Sequence, residues 1–346
     1  MSSSRFPITL LLPLLAFFMP LSGRAQVDYR FAQFQQNPLP VNPAFSGIED
    51  FVDIKLGYRM QWVGFANAPT SMFLSANMAL KISPGNDFKD RGVRLFEANA
   101  YNEKETSDEF GYRKGKRQGV SFYMLQNQDG GFSNLATYFS YAYHLRITNQ
   151  LIWSVGAGVG YEFNKFDPTG ISVLNPTNDQ AYLSYLNNRN QKSNLNLNVG
   201  TVIYHKQFFL GYSALNAVSY NIGGSNNFFN EQVSQFTQTV QVGFRHKWKY
   251  GYLITPSLLL RIRNENPIEI IASIRARVHD KIWGGLQYSY LGAVSISAGT
   301  YITKNIGFNY AYEFPTSQLN RNTSGSHELI LAVKLNNKNY SRAYLW

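Results

Sequence analysis

Three adjacent residues near the C-terminus, Ser326, His327 and Glu328, are the residue types of a hydrolase triad. Such a triad works only if the three side chains converge on one point. The neighbouring residues alternate between apolar and polar and so predict a strand, on which adjacent side chains point to opposite faces. We therefore interpret these three residues as structural and expect no enzymatic activity from them.

The other residue types that support chemistry are scattered. The chain has no Cys, which excludes disulfides and thiolate chemistry, and its 5 His lack metal-ligand spacing. Gly156, Gly158 and Gly160 recur at a spacing of two, whereas a dinucleotide-binding loop needs its glycines between a strand and a helix. No helical pattern follows them, so we interpret them as small residues that let a strand bend or admit a bulky group. The sequence thus predicts no catalytic residue, no cofactor and no metal site.

The clearest secondary-structure signal is a strictly alternating stretch of apolar and polar residues that begins at Val52. One face carries Val52, Ile54, Leu56, Tyr58, Met60 and Trp62, and the other carries Asp53, Lys55, Gly57, Arg59 and Gln61. An apolar face opposite an ionic face, over about ten residues, suits a strand between lipid and a wet lumen. We expect lumen-facing Lys55 and Thr239 to tolerate substitution. The residues expected to contact lipid are Ile54, Leu56, Trp153, Val155, Val242, Ile270 and Phe308.

This alternation recurs at about fourteen places, and no window shows a convincing helical period. Aromatic residues make up 15% of the chain, as the interfaces of a membrane barrel favour. Tight connections fall at one end, and long polar ones (Lys165–Gln191, Val218–Ser234 and Thr316–Gly325) fall at the other. The prediction is an all-β fold: a transmembrane outer-membrane antiparallel β-barrel of about 14 strands, with short periplasmic turns and long outer loops. An extra hairpin within 92–101 would raise the number of strands to about sixteen.

The chain divides into four predicted parts. Arg5, an apolar run and the small-x-small site Gly23-Arg24-Ala25 before Gln26 indicate a signal peptide. The parts are a signal peptide at 1–25, an N-terminal Pro-rich lead-in or plug at 26–50, the β-barrel at 51–336 and a C-terminal extension at 337–346.

The Pro-rich lead-in is the nearest candidate for filling the lumen. A barrel of about fourteen strands is too wide to be filled by its own wall side chains, so it holds either water or a plug. Pro38, Pro40 and Pro43 keep the lead-in out of the sheet, yet it carries apolar residues that need cover. We expect residues 36–47 to pack against the barrel interior or its periplasmic mouth.

The formal net charge is +11, but the cations are dispersed along strands, which argues against nucleic acid as a partner. Those on polar faces are Arg59, Arg146, Arg245, Lys247, Arg261, Arg263, Arg275 and Arg277, with Asp53 and Glu269 as possible ion-pair partners. Two interpretations stay open: an ordinary wet lumen with ion pairs, or an electropositive interior that holds an acidic segment or favours anions.

One connection departs from the rule of short inner turns. Ser83–Gln118 is long and highly charged and is predicted to face the periplasm. Acidic residues, including Glu105, precede basic residues, including Arg113 and Lys114. The segment is either a salt-sensitive docking surface for a partner or a solvated excursion.

Two groups of residues resemble a known family. Asn37-Pro38, then Asn42-Pro43-Ala44-Phe45-Ser46-Gly47, then Tyr58-Arg59-Met60-Gln61-Trp62 resemble the opening of the PorP/SprF proteins, type IX secretion outer-membrane proteins of Bacteroidota. Gly325-Ser326-His327-Glu328 is similar to the same family near its last strand. The segment 83–118 is longer than is usual for the family, and the final residues depart from its usual Pro-Arg-aromatic ending.

The resemblance implies a non-enzymatic barrel of the type IX secretion and gliding motility system, located in the cell outer membrane. Some members of the family serve the envelope machinery itself, and others help to export a partner protein such as an adhesin or attach it to the surface; the resemblance leaves both branches open. The expected partners are outer-membrane lipid, the secretion machinery and a cognate secreted surface protein. The expected partner-binding residues are Asn37, Pro38, Asn42, Pro43, Arg59, Trp62, Glu105, Arg113 and Lys114. The rival function is an outer-membrane channel or transporter, either porin-like or for hydrophobic substrates; a barrel hydrolase is a weaker third.

Overall fold

The computed structural model describes residues 31–49, 51–80, 116–148, 151–167, 177–178, 183, 191–205, 207–222, 236–247, 252–263, 267–278, 282–303, 305–316 and 323–335. These residues form one antiparallel sheet of 15 strand segments. The segments are β1 (Val52–Met60), β2 (Thr70–Leu80), β3 (Lys116–Asp129), β4 (Phe132–Arg146), β5 (Leu151–Phe166), β6 (Gln191–His205), β7 (Phe208–Ile222), β8 (Thr237–Phe244), β9 (His246–Lys247), β10 (Tyr252–Arg263), β11 (Glu269–Val278), β12 (Ile282–Ser289), β13 (Ala293–Tyr301), β14 (Ile306–Pro315) and β15 (Ser326–Leu335).

The sheet closes on itself. Consecutive strands pair with each other except β8 and β9, which both pair with β10, and β1 pairs with β15. Only Arg245 separates β8 from β9, so the two are one wall strand and the barrel has fourteen strands. This confirms the predicted fold class and strand number, while the hairpin considered within 92–101 lies outside the described residues.

The described connections at one end are all short, whereas the other end combines the three long predicted connections with shorter ones. The connections after β4, β6, β9, β11 and β13 leave between two and four residues between strands. At the other end, the connections after β5, β7 and β14 leave ten or more. Short turns face the periplasm in outer-membrane barrels, which orients this barrel. The long connection after β2 lies outside the described residues.

The alternation of each strand divides its side chains between two environments. In β1, Leu56 is 46% exposed on the outer surface, whereas Arg59 is 1% exposed on the inner surface. Trp153, Val155, Val242 and Phe308 are also exposed on the outer surface, as predicted for a lipid-facing side. The described residues include no helix with the length and hydropathy to cross a membrane.

The largest apolar core lies inside the barrel near its inner end. Wall residues next to the short turns pack there against residues that precede β1. The wall contributes Ile152, Val202, Tyr204, Phe209, Trp283 and Ala332, with Tyr301 packed against them; the preceding segment contributes Leu39, Ala44, Phe45, Ile48 and Phe51. The barrel therefore buries its core against its own N-terminal segment rather than against a second sheet.

Candidate functional site: the N-terminal segment inside the barrel

The described N-terminal segment, residues 31–49, contains one short 3-10 helix, Pro43–Phe45. Asn42 precedes it in extended conformation, and its side-chain oxygen accepts a hydrogen bond from the Ala44 N–H at 2.9 Å. Pro43 occupies the first helical position, where its missing N–H costs nothing. The Asn-Pro-Ala sequence thus builds a compact turn with a satisfied cap.

A groove of small residues in the wall receives this turn. A Cβ added to Gly156 would lie 2.6 Å from the Ala44 backbone, and one added to Gly200 would overlap the Asn42 side chain. Gly156 and Gly200 are directly paired across β5 and β6. Of the three glycines at spacing two, Gly156 therefore admits the N-terminal segment, whereas Gly160 admits the ring of Tyr138 from the neighbouring strand.

The Asn42 amide fixes the turn to the wall. Its Nδ2 donates to the backbone carbonyls of Thr201 and Tyr212, both at 3.2 Å. Next to it, the Val41 carbonyl accepts from Ser213 Oγ at 2.6 Å and from Thr239 Oγ1 at 3.2 Å. Wall side chains of β7 and β8 thus replace the backbone partners that an irregular segment lacks.

The opposite side of the segment meets β2, β3 and β4. Gly47 has φ +71°, and a Cβ on either Gly47 or Gly119 would overlap the backbone of the other residue. Ser46 binds the wall twice: its Oγ lies 2.7 Å from Ser121 Oγ, and its carbonyl lies 2.8 Å from His144 Nε2. Segment 31–49 therefore contacts wall strands on opposite sides of the lumen.

The upstream end of the segment is held higher in the barrel by Glu328 on β15. The Glu328 carboxylate accepts from the backbone N–H of Ala32 at 2.6 Å and of Gln33 at 3.2 Å. It also pairs with Arg59 Nη1 at 3.1 Å, while Arg59 Nη2 pairs with Glu313 at 2.5 Å. The segment thus runs from the outer half of the lumen down to the apolar core at the inner end.

Three of the eight predicted lumen cations lie in ion pairs among the described residues. Arg59 pairs with two carboxylates, and Arg261 and Arg263 pair with Glu269 at 2.9 and 3.4 Å. Lys55 pairs with Asp53. Arg245, Arg275 and Arg277 are buried in the lumen, and Arg146 is half-buried. The ion-pair interpretation therefore accounts for Arg59, Arg261 and Arg263, including the predicted partner Glu269.

A chamber of about 420 Å³ remains in the outer half of the lumen, beside the N-terminal segment. Asn134, Asn164, Thr237 and Arg263, among its lining residues, lie at or within two residues of the outer ends of their strands. From the N-terminal segment, Gln33, Asn37 and Pro40 also contribute to its surface. The chamber is thus bounded by the wall on one side and by the segment on the other.

The residues expected to bind a partner separate into three groups. Asn37, Pro38, Asn42, Pro43 and Arg59 are buried inside the lumen. Trp62 is half-buried just beyond the outer end of β1, and its backbone N–H donates to Ser326 Oγ at 3.2 Å. Glu105, Arg113 and Lys114 lie outside the described residues.

The triad-like residues do not converge, as the alternation predicted. Ser326 and Glu328 are buried in the lumen, whereas the His327 ring lies on the outer face, with Nδ1 2.7 Å from Tyr310 Oη. Glu328 instead holds the N-terminal segment.

Several residues that bind the segment were not singled out from the sequence. They are Ser121, Ser213 and Gln241. Each is a polar residue on the lumen face of its strand, so the alternation predicts its direction but gives no sign of its partner.

A family model described as "Type IX secretion system membrane protein PorP/SprF" matches residues 23–333. Among solved structures, the Pseudomonas putida toluene transporter TodX has 10% identity and a TM-score of 0.46, with 91% of this chain and 96% of that chain covered. The Acinetobacter baumannii outer membrane protein Omp33 has 8% identity and a TM-score of 0.43, with 84% and 100% covered. The Escherichia coli outer membrane phospholipase A has 10% identity and a TM-score of 0.34, with 83% and 92% covered. No curated protein matches the chain.

Proposed function

The chain belongs to the PorP/SprF family of type IX secretion system membrane proteins, and on that premise we propose that it assists the export or surface attachment of one partner protein, such as an adhesin. As a member of that family with a barrel fold, it is an outer-membrane component of the secretion system. What the proposal adds to family membership is a specific partner protein, which the barrel helps to export or attaches to the cell surface.

The observation that carries the proposal is the N-terminal segment inside the barrel. A diffusion pore needs a continuous water path, but apolar residues of the segment pack against six wall strands at the inner end. Ser46 and Gly47 complete the contact on the β2–β4 side. We infer that the segment closes the lumen, so the barrel works as a platform rather than as an open channel.

The absence of catalysis is part of the proposal. The residue types of a hydrolase triad at 326–328 are divided between the lumen and the outer face. Glu328 is already bound by Arg59 and two backbone N–H groups. Family membership supports the same conclusion.

The burial of Asn37, Pro38, Asn42, Pro43 and Arg59 limits their role toward a partner. While segment 31–49 stays in the lumen, these side chains are buried between the segment and the wall, so we infer that a partner protein does not contact them directly. We therefore assign direct partner contact to Trp62 at the outer end and to Glu105, Arg113 and Lys114 in the predicted periplasmic connection. Movement of the segment would be needed before the buried group could take part.

Surface proteomics tests the proposed role directly. We expect that deleting the gene removes one protein from the cell surface, and that wild-type protein supplied in trans restores it. A second variant, with the wall intact but residues 86–114 replaced by a short turn, reports whether insertion of the barrel alone is sufficient. An unchanged surface proteome in the deletion strain would contradict the proposal.

A planar-bilayer recording separates this function from the rival channel. We expect little steady conductance from the full-length protein and clear conductance after deletion of residues 26–49, because that deletion empties the inner end. Steady conductance from the intact protein, equal to that of the deletion variant, would support the channel instead.

A further inference from the structure

The Glu162 carboxylate, on the lumen face of β5, has no cationic partner among the described residues. Other lumen carboxylates each pair with an Arg or a Lys: Asp53, Glu269, Glu313 and Glu328. Glu162 is half-buried, and the hydroxyl of Tyr138 donates a hydrogen bond to it. A carboxylate that is withdrawn from water usually has a cation beside it, so Glu162 requires a reason.

The neighbouring strand brings an aromatic ring to this carboxylate. Tyr138 on β4 is the register partner of Gly160 on β5, and a Cβ added to Gly160 would overlap the Tyr138 ring. Because Gly160 has no side chain, the ring can cross onto β5, where its hydroxyl reaches Glu162. The alternation of the two strands thus places the ring and the carboxylate side by side in the lumen.

Glu162 and Tyr138 both line the chamber of about 420 Å³, and further aromatic rings line it with them. Phe31 and Phe73 meet edge to face with ring centroids 4.6 Å apart, and the Tyr123 ring lies 6.0 Å from that of Phe73. Tyr138 packs against the same cluster. A carboxylate beside several aromatic rings suits an organic cation, because the carboxylate supplies opposite charge and the ring faces attract ammonium and guanidinium groups.

The other charged residues that line the chamber approach from a different side. Arg261 and Arg263 lie on β10, which is four positions from β5 in the sheet, and both pair with Glu269. Their guanidinium groups can donate hydrogen bonds but cannot accept them. That side of the chamber therefore suits an acceptor on the ligand better than a second positive charge.

We propose that this chamber binds a small organic monocation, with its ammonium or guanidinium group against the Glu162 carboxylate and the Tyr138 ring. The volume of about 420 Å³ lies within the roughly 300–1,000 Å³ range of small-molecule sites. A metal ion is less suited, because Glu162 is the only carboxylate among the described lining residues, whereas hard cations take several oxygen ligands. A free organic cation and a Lys or Arg side chain of a polypeptide share this chemistry, and the test separates the two sources. The proposal does not depend on the export role.

The test uses full-length protein in an uncharged maltoside detergent and a phosphate buffer free of amines, so that neither competes for the carboxylate. Isothermal titration is performed with choline and phenylethylamine as free cations. The N-acetyl amides of lysine and arginine represent a polypeptide side chain. Putrescine serves as the dication and benzoate as the anion. We expect at least one monocation to bind, and to bind more tightly than putrescine and benzoate.

Three variants assign the binding to this site. Glu162→Gln keeps the shape of the side chain but removes its charge, and Tyr138→Leu removes the ring; each should weaken monocation binding by about tenfold or more. Glu313→Gln removes the charge of a lumen carboxylate that does not line the chamber, so it should leave binding unchanged. Heat-modifiable gel migration shows that each variant is a folded barrel. The proposal is overturned if no monocation binds, if putrescine or benzoate binds more tightly than every monocation, or if Glu162→Gln or Tyr138→Leu binds as tightly as the wild type.

Discussion

Arg59 on the first strand and Glu328 on the last strand are register partners, and their side chains form a buried ion pair of 3.1 Å inside the lumen. The pair lies at the point where the barrel closes. Glu328 also accepts hydrogen bonds from the backbone of Ala32 and Gln33. One carboxylate therefore links the first strand, the last strand and the N-terminal segment. At the same end, the Val63 N–H donates to the Gly325 carbonyl at 2.8 Å. The two motifs that resemble the family, at opposite ends of the sequence, are therefore in contact.

Removal of the Glu328 carboxylate should destabilise both the closure and the segment. We expect Glu328→Ala to lower the free energy of unfolding by about 3–5 kcal/mol, because breaking a buried ion pair leaves its partner charge uncompensated. Urea titration in lipid vesicles measures this loss. Glu313→Ala is the matched control, since it removes the other Arg59 partner but no acceptor of the segment. Only Glu328→Ala should expose residues 31–49 to protease; equal exposure in both variants would contradict the assigned role.

Enlargement of Gly156 should displace the N-terminal segment without breaking the wall. Gly156→Val places atoms where the Ala44 backbone lies, and overpacking of this kind costs about 1–3 kcal/mol. Ala157→Val adds the same bulk to the neighbouring residue, whose side chain lies on the outer face, and should be nearly neutral. Limited proteolysis of the segment and bilayer conductance report the displacement. If Gly156→Val leaves the segment protected and the barrel closed, the groove does not position the turn.

A charge on the outer face should be costly at mid-bilayer depth. Val155 lies on the exposed face of β5, and we expect Val155→Arg to destabilise the folded barrel by about 2–4 kcal/mol. Val155→Leu preserves the apolar surface and provides the control. Folding titrations into vesicles measure both variants. A Val155→Arg protein as stable as Val155→Leu would mean that this face does not contact lipid.

Lys55 and Thr239 are buried in the lumen, so we now predict that substitutions there cost stability, contrary to the expectation drawn from the sequence. Lys55 and Thr239 were expected to border water and to accept substitution, but both are buried, Thr239 completely (0% exposed). Thr239→Val would remove a hydroxyl that contacts Ser213 Oγ at 2.6 Å and the Val41 carbonyl at 3.2 Å. We expect a loss of about 1 kcal/mol in the unfolding free energy. Thr237→Val, at the outer end of the same face, is the comparison, and an identical effect there would argue against a specific contact with Val41.

The predicted periplasmic connection should be needed for export but not for folding. Replacement of residues 86–114 by a Gly-Asn turn shortens a connection that joins adjacent strands, so the barrel should insert and melt as before. We expect the surface partner to be lost, because the blocked charges there suit a docking surface. Surface proteomics and thermal melts of the purified barrel provide the two measurements. Normal export by the shortened protein would contradict the docking role and would support the alternative, that the segment is only a solvated excursion.

The sequence by itself determined which way each wall side chain points. A strand places successive side chains on opposite faces, so the alternation from Val52 to Trp62 predicted the exposed Leu56 and the buried Arg59 without any tertiary information. The lengths of the turns predicted the orientation of the barrel in the membrane in the same way, since these lengths depend only on where the alternation stops. The Pro-rich composition of 36–47 likewise predicted a segment that stays out of the sheet.

Only the tertiary structure decided which lumen residues meet. Glu328 and Arg59 are separated by 269 residues in the chain, and Ser213 and Val41 by 172. Such contacts arise because closure brings β15 beside β1 and places the segment at the centre of the ring, where it faces many strands at once. The local sequence specifies a period and a direction; distances across a closed barrel depend on strand number and register around the whole wall. This is why Gly156 could be predicted to admit a bulky group, whereas Ala44 as that group could be identified only from the folded barrel.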